Sequence, residues 1–472
     1  MISHLPMCFR KCRAIFLALL LPGVSAAQGN GPSLKNLTLE QALNYALQHY
    51  PAVRASLEQV NAASAGIALA RTQYLPSLSG VYQGSRATQN QVPGIWLPTA
   101  ITPTVEGPIA DSSGQSYWGS QAMALFSWEP FDFGLRGSVV GQARSAEERS
   151  NADLEVTRLQ VAMGVGSYFL SALEAQQAET AAQANVDRWQ VFNQSVHTLV
   201  DNSLRPGADA SRADAQLALA RTQLYRAQQA EEVAAATLAA LMGAAGTEIK
   251  PGAGPLLSLP STESLPNLAP ADNPLARDQL AAVRQAQAQE RVLSKTDYPR
   301  VFLQAEGFGR GSEVSANDTI IGNWNGLAPA RGNWVAGVTV TFPNVFDFKA
   351  LSAEKQISRA KEQAQRALYD KTIQDVTGQV QVALAQLKNA QLVAQQTPVE
   401  LAAARASETQ SRARYAASLA TMVEVSDAEG LLAQAEVDDA VARLNVWRSL
   451  FGLTYAQGDL RPFLDLLRAS SH

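Results

Sequence analysis

The chain has 472 residues; 46% are hydrophobic, only 17% are charged, and the formal net charge is −4. A sparse, slightly acidic charge set excludes a nucleic-acid binder that relies on a basic surface. Four histidines and two cysteines leave few ligands for a His/Cys metal site. No segment beyond the N-terminus offers roughly 18 consecutive apolar residues, which excludes a bundle of membrane helices but not a β-barrel.

The N-terminus reads as an export signal. Arg10, Lys11 and Arg13 precede a short apolar run at 14–22, and Val24, Ser25, Ala26 and Ala27 supply a small-residue cleavage zone. Residues 1–26 are predicted to leave as a signal peptide, cut after Ala26 or Ala27. The run is too short for a membrane anchor. Cys8 and Cys12 go with it, so the mature chain has no thiol chemistry and no cysteine to carry a lipid.

A helix of about 25–35 residues is predicted first, closed by Pro76. Strand-like segments follow at 77–88 and 116–129, joined by the proline-containing loop 89–115. Leu78, Gly80 and Tyr82 alternate with Ser77, Ser79, Val81 and Gln83, as in a wall between lipid and water. A strand in a water-soluble sandwich alternates equally well, and the facing of the second strand is open. Residues 137–203 then hold no proline, and a shorter helix is predicted at 208–243. Residues 249–272 are proline-rich and read as a linker.

The same plan returns: a helix from Pro274, strands at 301–312 and 333–342 around loop 313–332, long helices at 349–415 and 421–451, and a tail at 456–472. Trp334, Ala336, Val338, Val340 and Phe342 form one face of the fourth strand. Trp96, Trp118, Trp128, Trp324 and Trp334 fall in the two strand blocks, as at membrane interfaces. Pro51–Pro76 and Pro274–Pro299 align at a spacing of 223, Phe131-Asp132-Phe133 and Phe346-Asp347-Phe348 at 215, and Leu241-Met242-Gly243 and Leu450-Phe451-Gly452 at 209. The matches point to a duplication, with repeats at 27–248 and 273–455.

A helix of 67 residues would be about 100 Å long, so these helices must pair lengthwise. The returning helices carry heptad seams: Leu217, Ala220, Leu224, Ala227, Glu231, Ala234, Leu238 and Leu241 in one, and Val425, Ala428, Leu432, Ala435, Asp439, Ala442 and Val446 in the other. Leu431, Val441 and Leu444 form a second stripe, as expected of a helix with neighbours on both sides. The seam acids Glu231 and Asp439 are expected at a water-exposed edge.

Signal peptide, matched halves, paired strands and very long helices together resemble the TolC-like outer-membrane efflux proteins. Leu37-Thr38-Leu39-Glu40-Gln41-Ala42-Leu43 followed by Pro51 is similar to the family's start. Tyr74-Leu75-Pro76-Ser77-Leu78 resembles its helix-to-strand junction, and Tyr415 to Ala428 (YAASLATMVEVSDA) its inner tip. The resemblance covers essentially the mature chain. It implies an α+β membrane protein: a homotrimer whose twelve-stranded β-barrel, four strands per chain, continues into a long antiparallel α-helical barrel across the periplasm. A mixed belt near 244–275 and the C-terminus would surround the middle. The implied function is passive conduction in the outer membrane of a Gram-negative-type bacterium. A periplasmic adaptor (membrane fusion protein) and an inner-membrane transporter would be partners, and no cofactor, metal or nucleic acid is implied.

Family members close the inner end at the helix tips with an acidic ring. The matching positions are Glu424 and Asp427, three apart and so on one helix face. In a trimer their mutual repulsion would raise some of their pKa values. Acids in a first helical turn also simply complement the dipole. Asp209 and Asp214 occupy the similar turn of the first half, where Asp209 also suits a helix cap. Leu204, Arg205, Pro206, Gly207, Ser418 and Leu419, within 203–208 and 416–421, are the candidate adaptor contacts. Ser418 replaces the family's tip glycine and puts the turn geometry there in question.

Two other classes compete. No HExxH, GxSxG or Walker loop is present. Gly307-Phe308-Gly309-Arg310-Gly311 lies in a strand and opens no helix, so it is no dinucleotide fingerprint. His49 and His197 sit on different helices without evident local partners, as surface or packed residues do. A periplasmic coiled-coil adaptor or structural protein would explain the helices and the signal, but not four alternating aromatic strands. The cargo is not legible. Six methionines and four histidines, scattered, do not suggest a metal duct.

Overall fold

The computed structural model describes residues 34–88, 116–260, 268–313, 319, 324–343 and 348–470. The export signal with Cys8 and Cys12, Trp96 and loop 89–115, most of the second loop and Phe346-Asp347 lie outside the described residues.

Strands β1 (Leu34–Leu37) and β4 (Ile249–Pro251) form a small parallel pair. Strands β2 (Ser77–Thr88), β3 (Ser116–Phe131), β5 (Arg300–Ser312) and β6 (Arg331–Thr341) form one antiparallel sheet in the order β2-β3-β5-β6. Its register settles the facing of every strand, because directly opposed residues share a face. Leu78, Gly80 and Tyr82 lie opposite Phe126, Ala124 and Ala122, which lie opposite Ala305, Gly307 and Gly309. Ala336, Trp334 and Gly332 continue the row in β6, and Trp128, Leu303 and Val338 extend it. No charged residue stands on this face between Leu78 and Gly84, Ser120 and Trp128, Val301 and Gly311, or Gly332 and Val340. Leu78, Trp334 and Val338 are 76%, 81% and 64% exposed on it. The opposite face carries Gln83, Gln121, Gln304, Glu306, Arg310, Arg331, Asn333 and Thr339.

All helices attach at one end of the sheet. Helix α1 (Leu39–His49) and helix α2 (Pro51–Thr72) lead into β2, and β3 runs into α3 (Leu135–Asp201). The α5 helix (Pro274–Leu293) leads into β5, and α6 (Phe348–Ala416) follows β6. The β3–α3 junction is fixed by Asp132, which accepts from the Gly134 N–H at 3.2 Å and the Arg136 Nε at 3.0 Å. Arg136 donates onward to the Gln73 carbonyl at 3.2 Å and lies over the Tyr74 ring. These contacts hold Asp132 in its ionised form: burial opposes, but the hydrogen bonds and charge of Arg136 prevail and lower its pKa.

The long helices pair lengthwise. Helix α3 packs against α2 and α4 (Gly207–Leu241), and α6 packs against α5 and α7 (Met422–Gln457). Every expected seam position of α7 is buried, from Val425 to Val446. In the second stripe Leu444 is buried and Leu431 is exposed.

Three expectations need correction. The opening helix is two helices: Thr38 forms a capping box with Gln41, and Pro51 starts α2 at a position where its missing N–H costs nothing. The short β4 agrees with the mixed belt expected near 244–275 and is not among them. The tail is structured: α7 continues to Gln457, Gly458 ends it at φ 83°, and α8 (Arg461–Ala469) folds back. The Phe463 ring there meets Trp447 and Phe451 edge-on, in a core with Leu39, Leu43, Phe169 and Leu173. Asp439 is buried rather than exposed; it accepts from Thr397 Oγ1 at 3.2 Å and pairs with Arg443. Glu231 is half-buried.

Candidate functional site at the helix tips

Both long helical hairpins turn in the same way. The Ser203 N–H donates to the Val200 carbonyl at 2.8 Å and Leu204 N–H to Leu199 at 2.8 Å; Ser418 donates to Tyr415 at 3.0 Å and Leu419 to Arg414 at 2.8 Å. This is the Schellman closure, which places one residue in the left-handed region. Ser203 stands there at φ 59° and Ser418 at φ 63°. The turn therefore keeps the glycine geometry without glycine, at both tips. The leucines that follow, Leu204 and Leu419, are 66% and 69% exposed.

The two tips touch. Arg205 stacks its guanidinium 4.1 Å from the Tyr415 ring centroid and donates to the Tyr415 carbonyl. The Tyr415 hydroxyl donates to Asp209 Oδ2 at 2.9 Å. Burial, then the Asp209 hydrogen bond and charge, push the Tyr415 phenol up to about 12. Beneath lies a core of Val186, Trp189, Phe192, Val196, Ala213, Met422 and Val425. No local pattern signals this tie, since its partners lie in different hairpins.

The four candidate acids differ. Glu424 completes a capping box with Thr421 and stands 3.6 Å from Arg414, so its ordinary helix-start role is real. Asp427 is exposed and makes no ion pair among the described residues. Asp209 is engaged by Tyr415. Asp214 accepts from His197 at 2.9 Å and from Asn193 at 2.7 Å, and these bonds, His197 first, lower its pKa. His197 thus has a partner, contrary to expectation, and so has His49, whose ring bonds the Tyr45 carbonyl at 2.9 Å and stacks on the Tyr45 ring. Pro206 caps α4 and Gly207 opens it. Among the described residues, no group of three or more His, Cys, Asp or Glu is placed to hold a metal ion.

Above the tip, Arg188 of α3 reaches Glu429 at 3.2 Å and Glu436 at 3.0 Å, both on α7. Arg412 of α6 pairs with Glu408 at 2.7 Å and with Glu429. Sequence reasoning missed this cluster entirely.

A family model described as outer membrane efflux protein matches residues 42–244 and 265–459. Protein CyaE of Bordetella pertussis is 29% identical over 350 residues, which are 71% of this chain and 66% of CyaE. The chain thus spans just under two thirds of that relative's length. The outer membrane protein VceC of Vibrio cholerae superposes with a TM-score of 0.70 at 17% identity, covering 89% of this chain and 96% of VceC. The open state of the MtrE outer membrane channel of Neisseria gonorrhoeae gives 0.69 at 19% identity, covering 89% of each chain.

Proposed function

Because the chain belongs to the outer membrane efflux protein family, we propose that it is the outer-membrane duct of a tripartite efflux or type I secretion system. The observation that carries this reading is the β2-β3-β5-β6 sheet. One face is free of charge over nine to eleven residues in β3, β5 and β6, about the 9–11 that a crossing needs, and over seven in β2, where Arg86 follows on the same face. Four strands cannot close a barrel, and β2 and β6 have no outer neighbour among the described residues. Three copies give the twelve strands of a closed barrel with the polar face inside. Leu431 then finds a neighbour in the helical ring. Paired helix lengths of 22 and 20, 67 and 69, and 35 and 36 residues support the duplication.

Conduction is passive. The energy belongs to an inner-membrane transporter, and a periplasmic adaptor bridges to the tips, with the exposed Leu204 and Leu419 as its apolar anchors beside Arg205, Pro206, Gly207 and Ser418. Glu424 and Asp427 line the constriction. Asp209 and Asp214, already engaged by Tyr415 and His197, are secondary. A soluble periplasmic adaptor has no use for an uncharged sheet face. The test is fractionation followed by native mass measurement: the mature protein, lacking residues 1–26, is expected in the outer-membrane fraction, detergent-dependent and in threes. A protein soluble without detergent contradicts the proposal.

A further inference from the structure

One row crosses the sheet at its loop end, away from the helices. Gln83, Gln121, Arg310 and Arg331 stand directly opposite one another in β2, β3, β5 and β6, on the polar face. Directly opposed Cα atoms are roughly 4.5–5.5 Å apart in an antiparallel pair, so the Arg310 and Arg331 guanidiniums share one small region. Like charges so placed destabilise a sheet unless something of opposite sign lies between them. Among the described residues neither guanidinium has a hydrogen bond or an ion pair. Arg300, further along the same face, is by contrast held by Glu129 at 2.7 Å. The nearest acid of this face, Glu306, stands four positions from Arg310 in β5, about 13 Å along the strand.

A second observation points the same way. Gln121 is 6% exposed, and its Nε2 donor has no hydrogen-bond partner among the described residues. A buried N–H without an acceptor is costly. Two guanidinium forks beside an amide N–H, all short of acceptors, match one chemistry: an oxyanion, which offers acceptors alone and takes paired N–H bonds from arginine. Resting on the duct reading above, which puts this face in the lumen, we propose that Arg310, Arg331 and Gln121 form an oxyanion-binding site at the outer mouth, one per chain, that takes a phosphate-type group. The duct then carries opposite charge at its two ends, carboxylates at the tip and guanidiniums at the mouth. Gln83 Oε1 is also unbonded and is the competing acceptor for the Gln121 N–H.

Phosphorus-31 relaxation of inorganic phosphate, titrated with the detergent-solubilised full protein, tests this. Saturable binding is expected in the wild type. Arg310→Gln and Arg331→Gln are each expected to weaken it about tenfold or more, and Gln121→Leu about twofold to tenfold. Arg331 is exposed, so its variant decides should Arg310→Gln not fold. Arg86→Gln is the control: Arg86 stands at the same end on the opposite face, across from Trp118, and its loss is expected to leave binding unchanged. Glucose 6-phosphate is the second probe. Binding equal to that of the inorganic ion assigns the site to a phosphate group carried on a larger solute, and binding of the inorganic ion alone assigns it to the free anion; either supports the site. No saturable binding, or an affinity untouched in the two arginine variants, would overturn it. An affinity untouched in Gln121→Leu would give that N–H to Gln83 and overturn the three-donor site. Binding needs no conduction. A folded protein that binds phosphate but forms no channel in a bilayer defeats the duct reading and leaves the site, whereas a channel-forming protein that binds no phosphate defeats the site alone.

Discussion

The Tyr415 hydroxyl donates to the Asp209 carboxylate at 2.9 Å across 206 sequence positions, and this bond ties the α6–α7 hairpin to α3–α4 at the tip. A hydrogen bond to a charged acceptor is worth about 1.5–3 kcal/mol. Tyr415→Phe is therefore expected to raise the open fraction of the duct by at least roughly tenfold, read as mean conductance. The same bond predicts a pH limit. The phenol is raised to about 12, so the contact is intact below the ordinary tyrosine pKa and is lost only as pH rises through the raised value.

Ser203 and Ser418 hold left-handed backbone that favours glycine. Substituting both with glycine removes a steric cost of about 1 kcal/mol at each turn, partly offset by the extra freedom of the unfolded chain. Slower hydrogen exchange at the Leu204 and Leu419 amides is the expected result. Unchanged or faster exchange would show that the serine hydroxyls stabilise the turn in another way.

The sheet register predicts an asymmetry between neighbours. Val338 points to the uncharged face and Thr339 to the polar one. Val338→Arg is expected to cost about 2–4 kcal/mol near the middle of the membrane, and Thr339→Arg much less. Refolding into lipid vesicles measures both. Equal costs would reverse the assignment of the faces.

Gly166 of α3 is pressed against α7. A Cβ built there would stand 2.2 Å from Phe451 Cζ. The Phe451 ring is fully buried and braced by Phe463, so it has little room to give. Gly166→Ala is expected to cost about 1–3 kcal/mol by overpacking, seen as a lower thermal midpoint. Gly164 is a control: it lies two residues away, and beyond its own helix backbone nothing among the described residues stands within 4 Å of its Cβ position.

The sheet and the long helices were legible because their patterns are local. Alternation in Trp334 to Phe342 and the heptads from Val425 to Val446 each declare a buried or apolar face within one segment. The α1–α2 break was less so, since Pro51 both stops and starts a helix. The tail was missed although Phe463, Leu466 and Leu467 have helical spacing, because the segment is short and its core partners lie in α1, α3 and α7. The site was half legible. Glu424 and Asp427 came from resemblance to a tip segment. The bonds that organise that tip, Tyr415 with Asp209 and Arg188 with Glu429, join residues more than two hundred positions apart. No single-chain periodicity encodes such pairs. Asp439 shows the same limit: its heptad position was evident, but its burial depends on Thr397 across the seam.

The most direct test of the duct is the single-channel conductance of the purified protein in a planar bilayer, compared with Glu424→Ala/Asp427→Ala. The expected result is a small, cation-selective conductance that rises and loses its selectivity in the double variant. A well-folded trimer that forms no channel, or a channel indifferent to both substitutions, would contradict conduction through a gate at these carboxylates.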